Sequence, residues 1–193
     1  MLGWLPSALA QADPLVLRPE RELGAHRGTG QAEAPVYVSA DRMQGEVDVR
    51  AELQGAVELR RAGTEQRGGA VAYLCVSDEA KVRGNARLHD LGAVFSGPSL
   101  DYRLEAHTGQ MPQAAYTYAP RQGRGESSLI EFLSQDNFRM HDATYTNCAP
   151  GDDSWWVKAQ TLDIDRQEQQ ATGRHAKLYF QGVPVLASPY FSI

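Results

Sequence analysis

The sequence lacks the features that mark several common functional classes. Its 193 residues carry a formal net charge of −5, with 19 Lys and Arg against 24 Asp and Glu. A chain without a basic excess lacks the phosphate-neutralising surface of a nucleic-acid binder. No segment approaches the roughly 18 consecutive apolar residues of a membrane-spanning helix, and no helical stripe of apolar residues has a useful length. We therefore expect neither a nucleic-acid partner nor a helical membrane protein.

The residues for metal binding or catalysis are also missing. None of the five histidines forms a close pair at metal-ligand spacing, and the only two cysteines, Cys75 and Cys148, lie far apart in the chain. Asp163 and Asp165 alternate along one run, which is typical of a solvated strand face rather than a catalytic pair. We therefore predict no metal, no cofactor and no enzymatic activity.

The first 34 residues have the composition of a leader followed by a linker. Ala10-Gln11-Ala12 closes a short apolar stretch with the pattern of a signal-peptide cleavage site. We interpret residues 1–12 as the remnant of a secretory signal, the alternative being an ordinary flexible N-terminus. Residues 13–34 carry prolines, glycines and scattered charges without periodicity, which is typical of a flexible tether. Two cysteines are compatible with an oxidising compartment.

From Pro35 onward, apolar and polar residues alternate, as they do in strands with one buried face. The pattern predicts an all-β domain over residues 35–180. A unit of about thirty residues recurs in it, and such a strand-turn-strand unit buries its apolar face against its neighbours. The small residue opening each unit lets the chain bend sharply. Units open at Gly55, Gly84, Asp142 and Gly173, with a weaker copy near Gln113.

The apolar members of the alternating runs predict the interior of this domain. They are Val36, Val38, Val57, Leu59, Val82, Leu88, Leu100, Leu104, Leu178 and Phe180. Aromatic residues are few, with three Trp, eight Tyr and five Phe, and many interior candidates are small. A small apolar lining suits an open roll with room for acyl chains as well as a tightly closed sandwich. The small candidates are Ala40, Ala86, Ala115, Ala143 and Ala176.

The most distinctive stretch is Cys148-Ala-Pro-Gly-Asp-Asp-Ser-Trp155. Pro, Gly and Asp favour a turn, so the residues alone predict a hairpin with a half-exposed thiol at a strand end. The run resembles the Cys-x-Pro-Gly-x-Asp-x-Trp signature of the periplasmic domain in the LptD family of lipopolysaccharide-assembly outer-membrane proteins, also called OstA or organic solvent tolerance proteins. Weaker resemblances extend the match to about residues 35–193. They lie at Pro35–Arg42, at Gly123-Arg-Gly125 and at Lys177–Tyr190.

The resemblance implies a twisted open β-roll of repeated strand-turn-strand units, often called an OstA-like β-jellyroll, over residues 35–180. Residues 181–193 would begin the connection to an outer-membrane barrel that is absent from this chain. The implied location is the periplasm, facing the outer membrane. The implied function is to receive lipopolysaccharide from a bridge protein and pass it toward the outer membrane, with its acyl chains against the ten apolar residues named above.

Partners and a disulfide follow from the same resemblance. An LptA-like bridge protein would dock by strand addition on an unpaired edge, formed by Val36, Tyr37, Val38, Ser39, Ala40 and Asp41. An LptE-like outer-membrane lipoprotein would be a partner only where the barrel is present. Cys148 matches a family cysteine that forms a disulfide with a partner cysteine, whereas Cys75 has no counterpart that we identify.

Two other functional classes remain open from the sequence. One is a ligand-free structural or scaffolding β-module of the envelope. The other is a carbohydrate-active enzyme on a jelly roll, which requires two carboxylates facing each other across a cleft. The sequence offers no carboxylate pair for that second role.

Overall fold

A computed structural model describes residues 35–46, 49–61, 63–90 and 92–192. These residues all belong to one compact unit that spans Gln31–Ile193. The interpretations of residues 1–12 as a signal remnant and of residues 13–34 as a tether lie outside the described residues.

The described chain forms strands almost throughout. Its only helical element there is a single 3-10 turn at Ala119–Arg121, and no helix of the described part is long and apolar enough to cross a membrane. The strands are β1 (Tyr37–Ser39), β2 (Arg42–Glu46), β3 (Arg50–Arg61), β4 (Thr64–Leu74), β5 (Glu79–Asp90), β6 (Ala93–Arg103), β7 (Thr108–Tyr118), β8 (Gly123–Phe132), β9 (Asn137–Tyr145), β10 (Trp155–Asp165), β11 (Gln170–Phe180) and β12 (Val183–Ser192).

All twelve strands belong to one antiparallel sheet in which, from β3 onward, each strand pairs with the next along the chain. Strands β1 and β2 both pair with β3 at one end, and β12 lies at the other. The sheet curls so that strands distant in its order meet across the interior, as the ring contact of Phe95 on β6 with Phe138 on β9 shows. The predicted fold class, an all-β open roll, is confirmed.

The thirty-residue repeat corresponds to a kink in alternate strands. Residues with positive φ recur at positions 55, 84, 113 and 142, at intervals of 29 residues. A positive φ disfavours most side chains, yet Gln113 and Asp142 adopt it at 46° and 48°. The pairing register shifts at the kinks of β3 and β5, which bends the strands as a β-bulge does. The kinks therefore fold each long strand over the interior and roll the sheet.

The interior of β3–β8 is densely packed, and we call it the packed region. Ala80, Val82, Leu88, Leu100 and Ile130 each expose no more than 1% of their surface. At its border with β9, Phe95 contacts Phe132 and Phe138 edge to face, with ring centroids 5.2 and 5.6 Å apart. The side chains in this part of the roll are therefore closely packed.

Candidate ligand-binding groove

An open apolar groove lies in the interior of the roll next to the packed region, lined mostly by β9 and β10, with further residues from β6, β7, β11 and β12. Its volume is about 580 Å³, within the range of pockets that hold small molecules. The lining residues are Ala93, Phe95, Tyr116, Tyr118, Pro120, Phe138, Met140, Ala143, Tyr145, Trp155, Val157, Ala159, Leu162, Ile164, Asp165, Arg166, Gln169, Gln170, Ala171 and Phe191.

Small side chains keep the groove open. Ala143 on β9 is directly opposite Ala159 on β10, and both line the groove. Ala171 on β11 adds a third small wall residue. Cross-strand neighbours on one sheet face lie about 5 Å apart, so larger residues here would project into the space. Ala143, one of the small residues predicted to face the interior, therefore does line an open space.

The groove is polar at the turn between β10 and β11. Asp165, Arg166, Gln169 and Gln170 line it there, whereas nearly all of the remaining wall is apolar or aromatic. Among the wall residues, Tyr116 donates its hydroxyl to the Thr144 carbonyl oxygen at 2.6 Å. Burial raises the pKa of Tyr116 above its ordinary value, so this neutral phenol is even harder to ionise than an exposed one. The groove thus has an apolar body and one polar border, as an amphiphile requires.

A buried ion pair closes the groove where it meets the packed region. Arg166 Nη2 lies 2.6 Å from Asp90 Oδ2, and the two side chains expose only 12% and 6% of their surfaces. The same guanidinium donates to the Gln135 carbonyl oxygen and lies 5.6 Å from the ring centre of Phe138. The pair therefore ties the β5–β6 turn to the β10–β11 turn across the interior.

The ten residues predicted to line the interior fall outside this groove. Six are buried in the packed region, Val36 and Leu178 are half-buried, and none of the ten lines the groove. Val38 and Phe180 are 38% and 52% exposed, so their assignment to the interior was wrong. Strand β1 is only three residues long with one neighbour, and Phe180 ends β11 just before the Gln181–Gly182 turn. The six buried residues are Val57, Leu59, Val82, Leu88, Leu100 and Leu104.

Ala115 is a further interior candidate that the structure places outside. It is exposed, whereas Ala114 and Tyr116 on either side are buried. The kink at Gln113 shifts the alternation by one position, which moves Ala115 to the outer face. Sequence reasoning did not identify Phe138, Met140, Leu162 or Phe191, although Phe138 and Met140 do alternate along β9.

The loop that contains Cys148 is fixed by a residue from a distant motif. Arg124 Nε donates to the Cys148 carbonyl oxygen at 3.1 Å, and Nη2 donates to those of Ala149 and Asp152 at 3.1 and 3.0 Å. Gly125 is required beside it, because a Cβ there would overlap the Thr144 carbonyl oxygen. The two family-like motifs, Gly-Arg-Gly and Cys-x-Pro-Gly, therefore form one structural unit.

Cys148 itself is half-buried in the segment between β9 and β10. Its Sγ lies 3.9 Å from the Trp155 carbonyl oxygen, and its backbone N–H donates to Thr146 Oγ1 at 3.1 Å. Both cysteines of the chain are free thiols in this structure, so no bond joins Cys75 to Cys148. No group of three or more His, Cys, Asp or Glu residues that could hold a metal ion occurs among the described residues.

The edge predicted for docking lies at the first end of the sheet. Tyr37, Val38 and Ser39 pair with β3, and no described strand pairs with their other side. After this strand, Asp41 Oδ2 accepts the backbone N–H of Ala56 at 3.2 Å, beside the kink at Gly55. The start of the described chain is thus held to the first kink while its outer backbone groups stay open.

Comparison with known proteins assigns the chain. It is 36% identical over 185 residues to the LPS-assembly protein LptD of Thiobacillus denitrificans, covering 96% of this chain and 25% of that protein. It is 37% identical over 157 residues to LptD of Ralstonia nicotianae, covering 81% and 19% respectively. The chain belongs to the LptD family. The resemblance inferred from the Cys148–Trp155 run is confirmed, and the chain spans about a quarter or less of the length of these LptD relatives.

No family model matches the chain. Among solved structures, LptH of Pseudomonas aeruginosa, described as the LptA-homologous periplasmic component of the lipopolysaccharide transport device, aligns at 14% identity with a TM-score of 0.32. That alignment covers 84% of this chain and 96% of LptH. At this TM-score the likeness is too distant to support an argument.

Proposed function

We propose that this chain is a lipid-conduit domain, which receives lipopolysaccharide in the periplasm and passes it toward the outer membrane. The observation that carries the proposal is the 580 Å³ groove with an apolar body and a polar border. Membership of the LptD family supports lipopolysaccharide as the ligand, because the relatives are named for its assembly. The proposal assigns the chain no catalytic step.

The physical need for such a groove is large. Each methylene moved from water to an apolar environment contributes about 0.8 kcal/mol, so a molecule with several acyl chains cannot cross an aqueous compartment unshielded. The walls at Met140, Val157 and Leu162 offer the chains a dry surface. The polar border at Gln169 and Gln170 leaves a place for the sugars to remain in water.

Site-specific photocrosslinking tests the proposal. A photoreactive amino acid at Met140 or Leu162 faces the groove and should crosslink to lipopolysaccharide. Lys158 is the matched control, because it lies on the same strand as Leu162 but is exposed and absent from the groove lining. Equal crosslinking at Lys158 would contradict a groove ligand. No crosslinking at any position in folded protein would favour the ligand-free structural module.

We propose that the bridge protein docks on the open edge of β1, as an added antiparallel or parallel strand. Successive backbone N–H groups in a strand point to opposite sides. Of the neighbours Tyr37 and Val38, one therefore donates toward β3 and the other toward the open edge. Proline at the outward position should weaken docking to an LptA-like protein while stability is kept, and proline at the other should cost stability first. Unchanged binding by both variants would place the contact elsewhere.

We propose that Cys148 is the cysteine of this domain that pairs with another part of the assembly. Cys148 is half-buried in a loop that Arg124 holds in place. Its sulfur therefore stays near the protein surface, where another thiol can reach it. A thiol reagent should modify Cys148 in the folded Cys75→Ser variant. A Cys148→Ser variant that retains Cys75 is the matched control. Failure of Cys148 to react until the protein is unfolded would exclude this role.

A further inference from the structure

Opposite ends of the strands meet in the packed region. From β3 onward the turns alternate between two sides of the sheet. The turns that follow β3, β5, β7, β9 and β11 form what we call the first rim, and those that follow β4, β6, β8 and β10 form the second. Strand β4 has 11 residues, so a flat β4 would hold its two ends about 35 Å apart. Arg61, before β4, nevertheless lies 3.3 Å from Asp78, after β4. The strands therefore fold back and bring the rims together.

Two ion pairs join the rims. The first is Arg61 with Asp78, whose side chains are 10% and 20% exposed. The second is Asp90 with Arg166, the buried pair described above. Thr64 connects their surroundings, because its hydroxyl donates to Asp90 Oδ1 at 3.4 Å and it lines a cavity of about 10 Å³ together with Arg61. No strand ladder joins the rims in the described part of the chain. Side chains alone therefore make this closure, and the ladders of the sheet do not oppose its opening.

The interior beside these pairs contains polar groups that the closed roll leaves unsatisfied. Gln66 is 1% exposed, and neither its Nε2 nor its Oε1 has a hydrogen-bond partner among the described residues. Arg166 Nε is also buried without a partner in that part of the chain. A buried polar group without a partner destabilises the state that buries it, and an ion pair regains hydration when both charges return to water together. The closed state is therefore less favoured than its apolar packing alone would make it.

The position of the packed region gives its closure a meaning for transport. A ligand received at the open edge of β1 has to pass β3, β4 and β5 before it reaches the groove, since none of these strands lines the groove. We propose that Arg61–Asp78 and Asp90–Arg166 are releasable clasps, and that their release opens the packed region between the rims and extends the groove toward β1. This inference rests on the proposed function, because it assumes that a lipid passes from β1 to the groove. In the isolated chain the clasps keep the packed region closed.

The distance between the rims tests the clasps. Spin labels are attached to Arg60→Cys and Val76→Cys in a chain that also carries Cys75→Ser and Cys148→Ser. The Arg60 side chain is 57% exposed near the first rim, and Val76 is 86% exposed on the second, so both accept a label. Pulsed electron paramagnetic resonance then measures the separation of the labels. The parent should give one short distance.

Release of the clasps should lengthen this distance. Asp78→Asn/Asp90→Asn removes both carboxylates but keeps the shape of each side chain, and Asn tolerates the positive φ of 50° at position 78. This variant should show a second, longer distance, and Asp78→Asn alone is read in the same way if the double variant does not fold. Asp163→Asn, which removes the exposed pair with Arg139, is the matched control and should keep the parent distance. A parent-like distance in the folded clasp variant would overturn the proposal.

Photocrosslinking to purified lipopolysaccharide shows whether release extends the groove. A photoreactive amino acid at Tyr102, which is 2% exposed and does not line the groove, should crosslink several-fold more in the clasp variant than in the parent. The same probe at Met140, in the groove, should crosslink in both proteins. Equal crosslinking at Tyr102 in both proteins, or none in either, would contradict the clasps and leave the groove as a lipid site. Absence of crosslinking at Met140 in the folded parent would instead contradict the proposed function itself.

Discussion

The packed region and the groove region are built from the same strands, kinks and alternation, and they differ in what meets across the interior. In the packed region large side chains such as Leu88 and Leu100, neither with any exposed surface, fill the space. In the groove region the cross-strand neighbours Ala143 and Ala159 project small side chains from the same wall, and the interior there stays open. A single repeated architecture therefore holds both a packed body and an open cavity.

The sharpest test of this difference is a buried charge in each region. Val57→Asp places a carboxylate at a hydrophobic core site with 2% exposure, and it should cost on the order of 4 kcal/mol or prevent folding. Ile164→Asp projects into the groove beside its polar border, where water can solvate the charge, and should cost about 1–2 kcal/mol. Chemical denaturation compares the two. Similar losses would mean that the groove is closed to water.

The Asp90–Arg166 ion pair between the two regions should contribute more to folding stability than an ion pair on the outer face. Removing either Asp90 or Arg166 leaves the other charge buried and should cost about 3–5 kcal/mol, while the double variant should recover part of that loss. The Arg139–Asp163 pair, with side chains 44% and 32% exposed, should contribute about 1 kcal/mol or less. Two double-mutant cycles measure both couplings. Equal couplings would show that Asp90 and Arg166 are solvated.

Replacing an alanine with leucine should destabilise the packed region more than the groove region, but the difference should be smaller than for the two ion pairs. Ala86 has no exposed surface in the packed region, so Ala86→Leu should overpack it and cost about 1–3 kcal/mol. Ala171 is half-buried at the groove wall, and Ala171→Leu should cost about 0.5 kcal/mol or less because the side chain can extend into the groove. Thermal unfolding reports the stabilities, and dye binding should fall only in Ala171→Leu. A larger stability loss for Ala171→Leu would reverse the comparison.

The smallest expected effect is a pH dependence of folding stability that comes from His107 in the packed region. Burial lowers the pKa of His107, so the folded state binds its proton less readily than the unfolded state. Stability from this group is complete above the ordinary histidine pKa of about 6.5 and is lost as the pH falls below it toward the lowered folded value. His107→Asn, which tolerates the positive φ of 52° at this position, should flatten that part of the stability–pH curve. An unchanged curve would assign the dependence to other groups.

The strands and kinks could be predicted from sequence because their signals are local. Alternation identifies the strands, and the spacing of Gly55, Gly84, Gln113 and Asp142 identifies the bends. Alternation gave a wrong result at Ala115. The kink there falls at Gln113 rather than at a glycine, and it reverses the order of inward and outward side chains.

The groove could not be predicted in the same way. Periodicity reports that a side chain points inward, but it does not report whether another side chain meets it there. That depends on residues far apart in the chain, such as Asp90 with Arg166 or Phe95 with Phe138. The ten apolar residues chosen from alternation therefore describe the packed region and the strand ends rather than the cavity.

Hydrogen exchange of the chain with and without purified lipopolysaccharide tests the central claim most directly, because it reports on every strand in one experiment. We expect added protection in β9, β10 and β11, which supply most of the groove lining, and none in β4 and β5, whose interior is already full. Added protection in β4 and β5 with none in β9–β11, or equal protection throughout, would contradict the account.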